Sequence, residues 1–248
     1  MILFKIFFPI LFYTTITAIL TEVFPASYSV LFCTGISAFI STPFLYYLYR
    51  KEQKKQRFIP SRPSLLLNTL PLLLLLSASS CILFNNLLLL PPFSILFSGT
   101  SEPYSKLLYH PPFWEQLLFT VLLIPIAEEL IFRGQIFTAL RKIMPFWPAA
   151  FLSSLIFGIY HGNIIQGIYA FCLGLIMAWL AECYQRMFPS CLFHITSNFL
   201  SVLITRIKWV QERIPLRIIL MIELPFALIC FIVSIQTIRH RLSSSSLL

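Results

Sequence analysis

Glu128 and Glu129 stand side by side in the run Leu122-Leu-Ile-Pro-Ile-Ala-Glu-Glu-Leu-Ile-Phe-Arg133, and Arg133 follows the second glutamate by four residues. The surrounding sequence is almost wholly apolar. In hydrocarbon a carboxylate or guanidinium costs roughly 2.5–3.5 kcal/mol to insert, so three such groups within six residues mark a candidate functional site. Two further polar points follow. His161 ends the stretch Phe157-Gly-Ile-Tyr-His161, and His194 precedes Asn198 by four residues in His194-Ile-Thr-Ser-Asn198. Such a set can hydrolyse a bond. Glu128 can act as general base on a water with help from His161, while His194 and Asn198 can donate hydrogen bonds to an oxyanion. Alternatively, Glu128, His161 and His194 can hold a divalent ion such as zinc and leave a fourth position for water. Spacing alone does not choose between these schemes.

Helical periodicity separates the two glutamates. Residues four apart share a helix face, so Glu129 and Arg133 can pair. Glu128 is turned about 100° away and lacks that partner. Glu129 and Arg133 therefore read as supporting residues and Glu128 as the reactive one. The turn near residues 141–147 joins two antiparallel helices, and Glu128 and His161 are equally far from its centre. They are expected at the same depth. His194 lies only about five residues past Pro189, so a tilted or shortened helix is needed to bring it level.

These residues need an apolar scaffold to hold them, and the composition supplies one. The chain has 248 residues, 58% hydrophobic and 11% charged, with a mean hydropathy of +0.85. Soluble domains carry about 25% charged residues. Residues 63–101 hold no charge at all, a stretch longer than the ~20 residues that cross a bilayer. The runs are continuous rather than alternating, which excludes a barrel. The chain reads as one all-α domain over residues 1–248, a polytopic bundle of about eight spans: 2–20, 28–49, 65–84, 113–142, 147–165, 167–184, 190–206 and 216–237. Residues 2–20 read as a retained first helix rather than a cleaved signal. Asn85-Asn86 and Pro91-Pro92 break the segment 85–98, which reads as interfacial or re-entrant. Gly158 and Gly162 form a small-xxx-small pair, and Gly167 and Gly174 lie seven apart on one face, spacings that let helices approach closely. Six scattered cysteines read as apolar packing. The expected partners are the lipid bilayer and a membrane-associated peptide or protein substrate, with no nucleic acid.

The segment Arg50–Arg57, with Arg62, carries the densest positive charge beside two spans. It places the loop 50–62, and with it both termini, in the cytoplasm. The active cavity between the helices at 113–142, 147–165 and 190–206 is expected to open toward the cytoplasm as well.

Other intramembrane hydrolases fit the sequence poorly. The aspartyl class needs aspartates, and the chain has none. His-Glu-x-x-His does not occur, and Gly35-Ile-Ser-Ala38 resembles a serine-protease motif only faintly. In contrast, Glu128-Glu-Leu-Ile-Phe-Arg133, Phe157-Gly-Ile-Tyr-His161 and His194-Ile-Thr-Ser-Asn198 resemble EExxxR, FxxxH and HxxxN, in that order and on successive apolar spans. Residues 113–205 thus resemble the CPBP intramembrane protease family, which includes type II CAAX prenyl endopeptidases, bacteriocin-processing proteins and the Abi group. The resemblance implies an all-helical membrane endopeptidase. Glu128 and His161 would activate water, His194 and Asn198 would stabilise the oxyanion, and Glu129 and Arg133 would support them. The resemblance leaves both schemes open: a divalent metal such as zinc held by Glu128, His161 and His194, or a metal-free Glu128. Its substrates would be membrane-associated, prenylated or leader-bearing. The competing reading is a non-catalytic membrane scaffold or transporter, because buried Glu, His and Arg also line ion pathways.

Overall fold

The computed structural model describes residues 2–25, 27–56, 63–90, 111–206 and 218–245, and among these every regular element is a helix. The helices are α1 (Ile2–Val23), α2 (Val30–Gln56), α3 (Pro63–Leu89), α4 (113–141), α5 (Phe146–Tyr160), α6 (Ile164–Tyr184), α7 (Phe188–Arg206) and α8 (219–245). They correspond in order to the eight expected spans. Six of them, α1, α2, α3, α6, α7 and α8, are long and apolar enough to cross a membrane. The chain is an integral membrane protein. Pro9, Pro43 and Pro71 lie inside α1, α2 and α3, a placement tolerated where neighbouring helices supply the missing backbone partners.

Successive helices alternate in direction. At one end, Lys5 of α1 pairs with Glu52 of α2 at 2.7 Å, Lys142 also reaches Glu52, and Arg141 binds Glu182 of α6 through two bonds of 3.0 and 2.7 Å. At the other end, Ser29 donates to Glu115 at 2.8 Å and Asn86 to Glu223 at 3.0 Å. The α3 helix bridges the two halves of the bundle. Its Ser77 donates to the Phe193 carbonyl of α7 at 3.0 Å, and its Thr69 accepts from Tyr184 at 2.7 Å.

Three expectations change. The span 147–165 is shorter than its apolar run. The α5 helix stops at Tyr160 after 15 residues, about 22 Å of rise. Turn chemistry explains the break: Gly162 has φ +67°, a conformation that favours glycine. Asn163 then caps α6, its Oδ1 accepting from the amides of Ile165 and Gln166 at 3.1 Å each. Gly162 therefore lies off the helix, and the close contact runs between Gly158 and Gly167. A Cβ on Gly158 would lie 2.7 Å from the Gly167 carbonyl oxygen. Gly174 shares that face, against Ser154 and Arg133. Finally, Asn85 and Asn86 do not break a helix. The α3 helix runs through them to Leu89, Asn85 donating to the Cys81 carbonyl one turn back at 2.8 Å. Residues 91–98 of the expected re-entrant segment lie outside the described residues. The faint serine motif is packing: Gly35 lies against the Phe119 ring, and Ser37 donates to the Tyr13 carbonyl at 3.2 Å.

Candidate active site

The α4 helix is not uniform. Two π-helical stretches, Gln116–Leu123 and Phe132–Phe137, bracket the α-helical turn pair Ile124–Ile131 that carries both glutamates. Pro125 accounts for part of this. Lacking an N–H, it cannot continue the i→i−4 ladder, which must change register around it. Past the second stretch, Thr138 donates its hydroxyl to the Arg133 carbonyl at 2.8 Å, so the altered backbone there keeps a partner. π turns hold more residues than an α turn, so residue count overstates the depth of Glu128 below the 142–145 turn. That removes part of the mismatch expected for His194.

The adjacent glutamates face different surroundings. Glu129 is fully buried and saturated with donors. Its Oε1 accepts from Arg133 Nη1 at 2.9 Å and faces His194 Nδ1 at 3.1 Å, while its Oε2 accepts from Ser190. Arg133 extends the network: Nη2 donates to the Gly174 carbonyl at 3.1 Å, and the guanidinium lies 4.6 Å over the Phe157 ring. A buried carboxylate with this many donors is fixed in charge and position.

Glu128 faces the other way, into a cavity of about 530 Å³ that is also lined by His161, His194 and Asn198. His194 Nε2 lies 3.7 Å from Glu128 Oε2, so this imidazole stands between the two carboxylates. The Phe157 carbonyl can only accept, so His161 Nδ1 at 2.8 Å is the donor, and Nε2 carries the lone pair. Both histidine rings meet the Phe157 ring edge to face, with centroids at 4.7 and 5.8 Å. Asn198 Nδ2 donates to the Thr120 carbonyl at 2.9 Å, inside the first π-helical stretch. One N–H of the amide remains.

The cavity therefore brings together the four residues named from the sequence as reactive, and Glu129 and Arg133 form a pair behind them. Among the described residues, however, no three His, Cys, Asp or Glu side chains group closely enough to hold a metal ion. Glu128, His161 and His194 share a cavity without forming a coordination sphere. Cys191 is buried and free. Sequence reading passed over Ser190, although it lies four residues before His194 on the same helix face. It also passed over Phe157 as the ring between the two histidines, and over Thr120, 78 residues from its partner Asn198.

The cavity lies toward one end of the bundle. It runs from Glu128 and Met177 at mid-bundle to Val30, Leu88 and Asn163 at one end. The basic segment 50–56 ends α2 at the opposite end.

Residues 110–200 match the model of the family described as "Type II CAAX prenyl endopeptidase Rce1-like". The match spans α4, α5, α6 and most of α7, the four helices that carry the cavity's reactive residues and the glycine contacts. No curated protein and no solved structure matches the chain.

Proposed function

We propose that this chain is an intramembrane endopeptidase that hydrolyses peptide bonds of membrane-associated substrates with a water activated by Glu128. The observation that carries the reading is the split between the two glutamates, one saturated by donors and the other facing a cavity with two histidines and an asparagine. The similarity of residues 110–200 to type II CAAX prenyl endopeptidases supports proteolysis. Prenylated and leader-bearing peptides are the substrates to test first.

The chemistry follows from the positions. Glu128 takes a proton from water, and the oxygen attacks the scissile carbonyl carbon. His161, with Nδ1–H held by the Phe157 carbonyl, accepts a hydrogen bond from that water at Nε2. The tetrahedral oxyanion is met by the second N–H of Asn198 and by His194 through Nε2. Glu129 fixes the His194 ring through Nδ1. The carbon–nitrogen bond then breaks as the proton held by Glu128 passes to the leaving amine. No step is routed through a metal, because the three ligands named from the sequence do not group as one.

The test is purification in detergent and incubation with membrane-tethered, internally quenched peptides, wild type beside Glu128→Gln. Cleavage by wild type alone supports the reading, and equal cleavage by both ends it. A chelator arm addresses the metal. Cleavage should persist in a strong chelator. Loss in chelator with recovery on adding zinc would assign Glu128, His161 and His194 as ligands after all.

A further inference from the structure

The first π-helical stretch of α4 leaves one carbonyl without a partner in its own helix. In an α-helix the Thr120 carbonyl would accept from the amide of Ile124, four residues on. Here that amide donates to the Phe119 carbonyl instead, in the i→i−5 register of a π-helix. Continuing the same register would bring Thr120 the amide of residue 125. That residue is Pro125, which has no N–H. Neither register of the ladder can therefore give this carbonyl a donor. In an apolar span a carbonyl left so is costly until something else donates to it.

The donor is Asn198, whose Nδ2 lies 2.9 Å from the Thr120 carbonyl oxygen. A carbonyl only accepts, so the amide nitrogen must be the atom that faces it. That one bond fixes which way the amide is flipped, and the second N–H sits on the same nitrogen. Thr120 and Asn198 both line the cavity beside Glu128. The second π-helical stretch offers a contrast. There the Thr138 hydroxyl meets the Arg133 carbonyl at 2.8 Å within the same helix. In the first stretch the vacancy is filled from α7, four residues past His194. Pro125 itself is buried and is not among the residues that line the cavity, so it reaches the reaction only through this backbone vacancy.

We propose that Pro125 is a positioning residue for the hydrolysis. By withholding an N–H from the Thr120 carbonyl it keeps that carbonyl for Asn198, and so aims the second N–H of the amide at the oxyanion. This deepens the proteolytic reading above and rests on it. Pro125→Ala is the test. If the π register runs on, the new N–H donates to Thr120, and if the ladder reverts to i→i−4 the Ile124 amide does. A backbone donor competes with Asn198 either way. With the quenched peptides in detergent, Asn198→Ala should lower kcat by about 10²–10³-fold, the cost of one oxyanion donor. Pro125→Ala should lower it by at least about ten-fold with KM unchanged, yet by less than about two-fold when Asn198 is already alanine, since the two changes remove one interaction. Pro125→Val, which supplies the same N–H and refills the space of the ring, should behave alike. An equal factor in both backgrounds would mean that Pro125 acts through Glu128, three residues on, or through packing, and would overturn the proposal. Full kcat in either folded single variant would overturn it too. A second readout needs no turnover. The chain has five asparagines, so asparagine-selective isotope labelling gives a sparse set of side-chain amide signals in NMR, and Asn198→Ala assigns one pair. Pro125→Ala should draw the two proton shifts of that pair together, because the bonded proton loses its acceptor. An unchanged separation overturns the proposal. A narrowed pair with no cleavage by wild type ends the proteolytic reading and leaves Pro125 as the residue that orients Asn198.

Discussion

The wall of α4 that faces the cavity and the wall that faces α6 and α7 begin at consecutive residues and have opposite character. On the packed wall, Glu129 is held by Arg133, His194 and Ser190, and Arg133 by Gly174. On the open wall, Glu128 has His194 at 3.7 Å and otherwise space. The difference shows how a helix in lipid can carry two carboxylates with separate uses. One is neutralised by donors and cements three helices, which leaves the next free to meet a water.

If that division is right, the two walls should fail differently. Glu128→Gln has the largest expected effect on turnover, a loss of about 10²–10⁴-fold, the range that a general base contributes. Its thermal unfolding in detergent should match wild type, and an unfolded Glu128→Gln would erase the comparison. Glu129→Ala should act on stability. It strands a buried guanidinium and should cost roughly 3–5 kcal/mol, read from the unfolding midpoint. A stable, fully active Glu129→Ala would reverse the two assignments.

Smaller changes sharpen the packed side. Gly158→Ala would push a Cβ into the Gly167 carbonyl and should cost about 1–3 kcal/mol, the range for overpacking. Ser190→Ala removes one donor from Glu129 and should cost about 1 kcal/mol, with cleavage retained by the folded fraction. On the lipid-facing side of α8, Phe226 is 67% exposed. Phe226→Leu should shift stability by no more than about 0.5 kcal/mol, and a larger loss would mean that this face is covered in the working protein.

The site itself was partly legible. The spacing of Glu129 and Arg133 foretold their pair, because i,i+4 neighbours on a helix meet whatever surrounds them. Ser190 was equally readable from its four-residue separation from His194. The bond from Asn198 to the Thr120 carbonyl was not, since no local pattern links residues 78 apart. The end of α5 at Tyr160 was legible only in hindsight. Apolar length predicts a longer helix, and the positive φ of Gly162 with the Asn163 cap overrules it.

By itself the sequence determined the class of solvent, the order of the helices among the described residues, and the identities of the residues that share a face. Each of these follows from short-range periodicity and the cost of charge in hydrocarbon. Tertiary structure decided which helices touch. It set Gly158 against Gly167, put His194 between two carboxylates, and turned the cavity away from the basic segment 50–56. Those outcomes depend on π-helical stretches in α4 and on the depth at which α7 begins, and both are settled by packing between segments far apart in the chain.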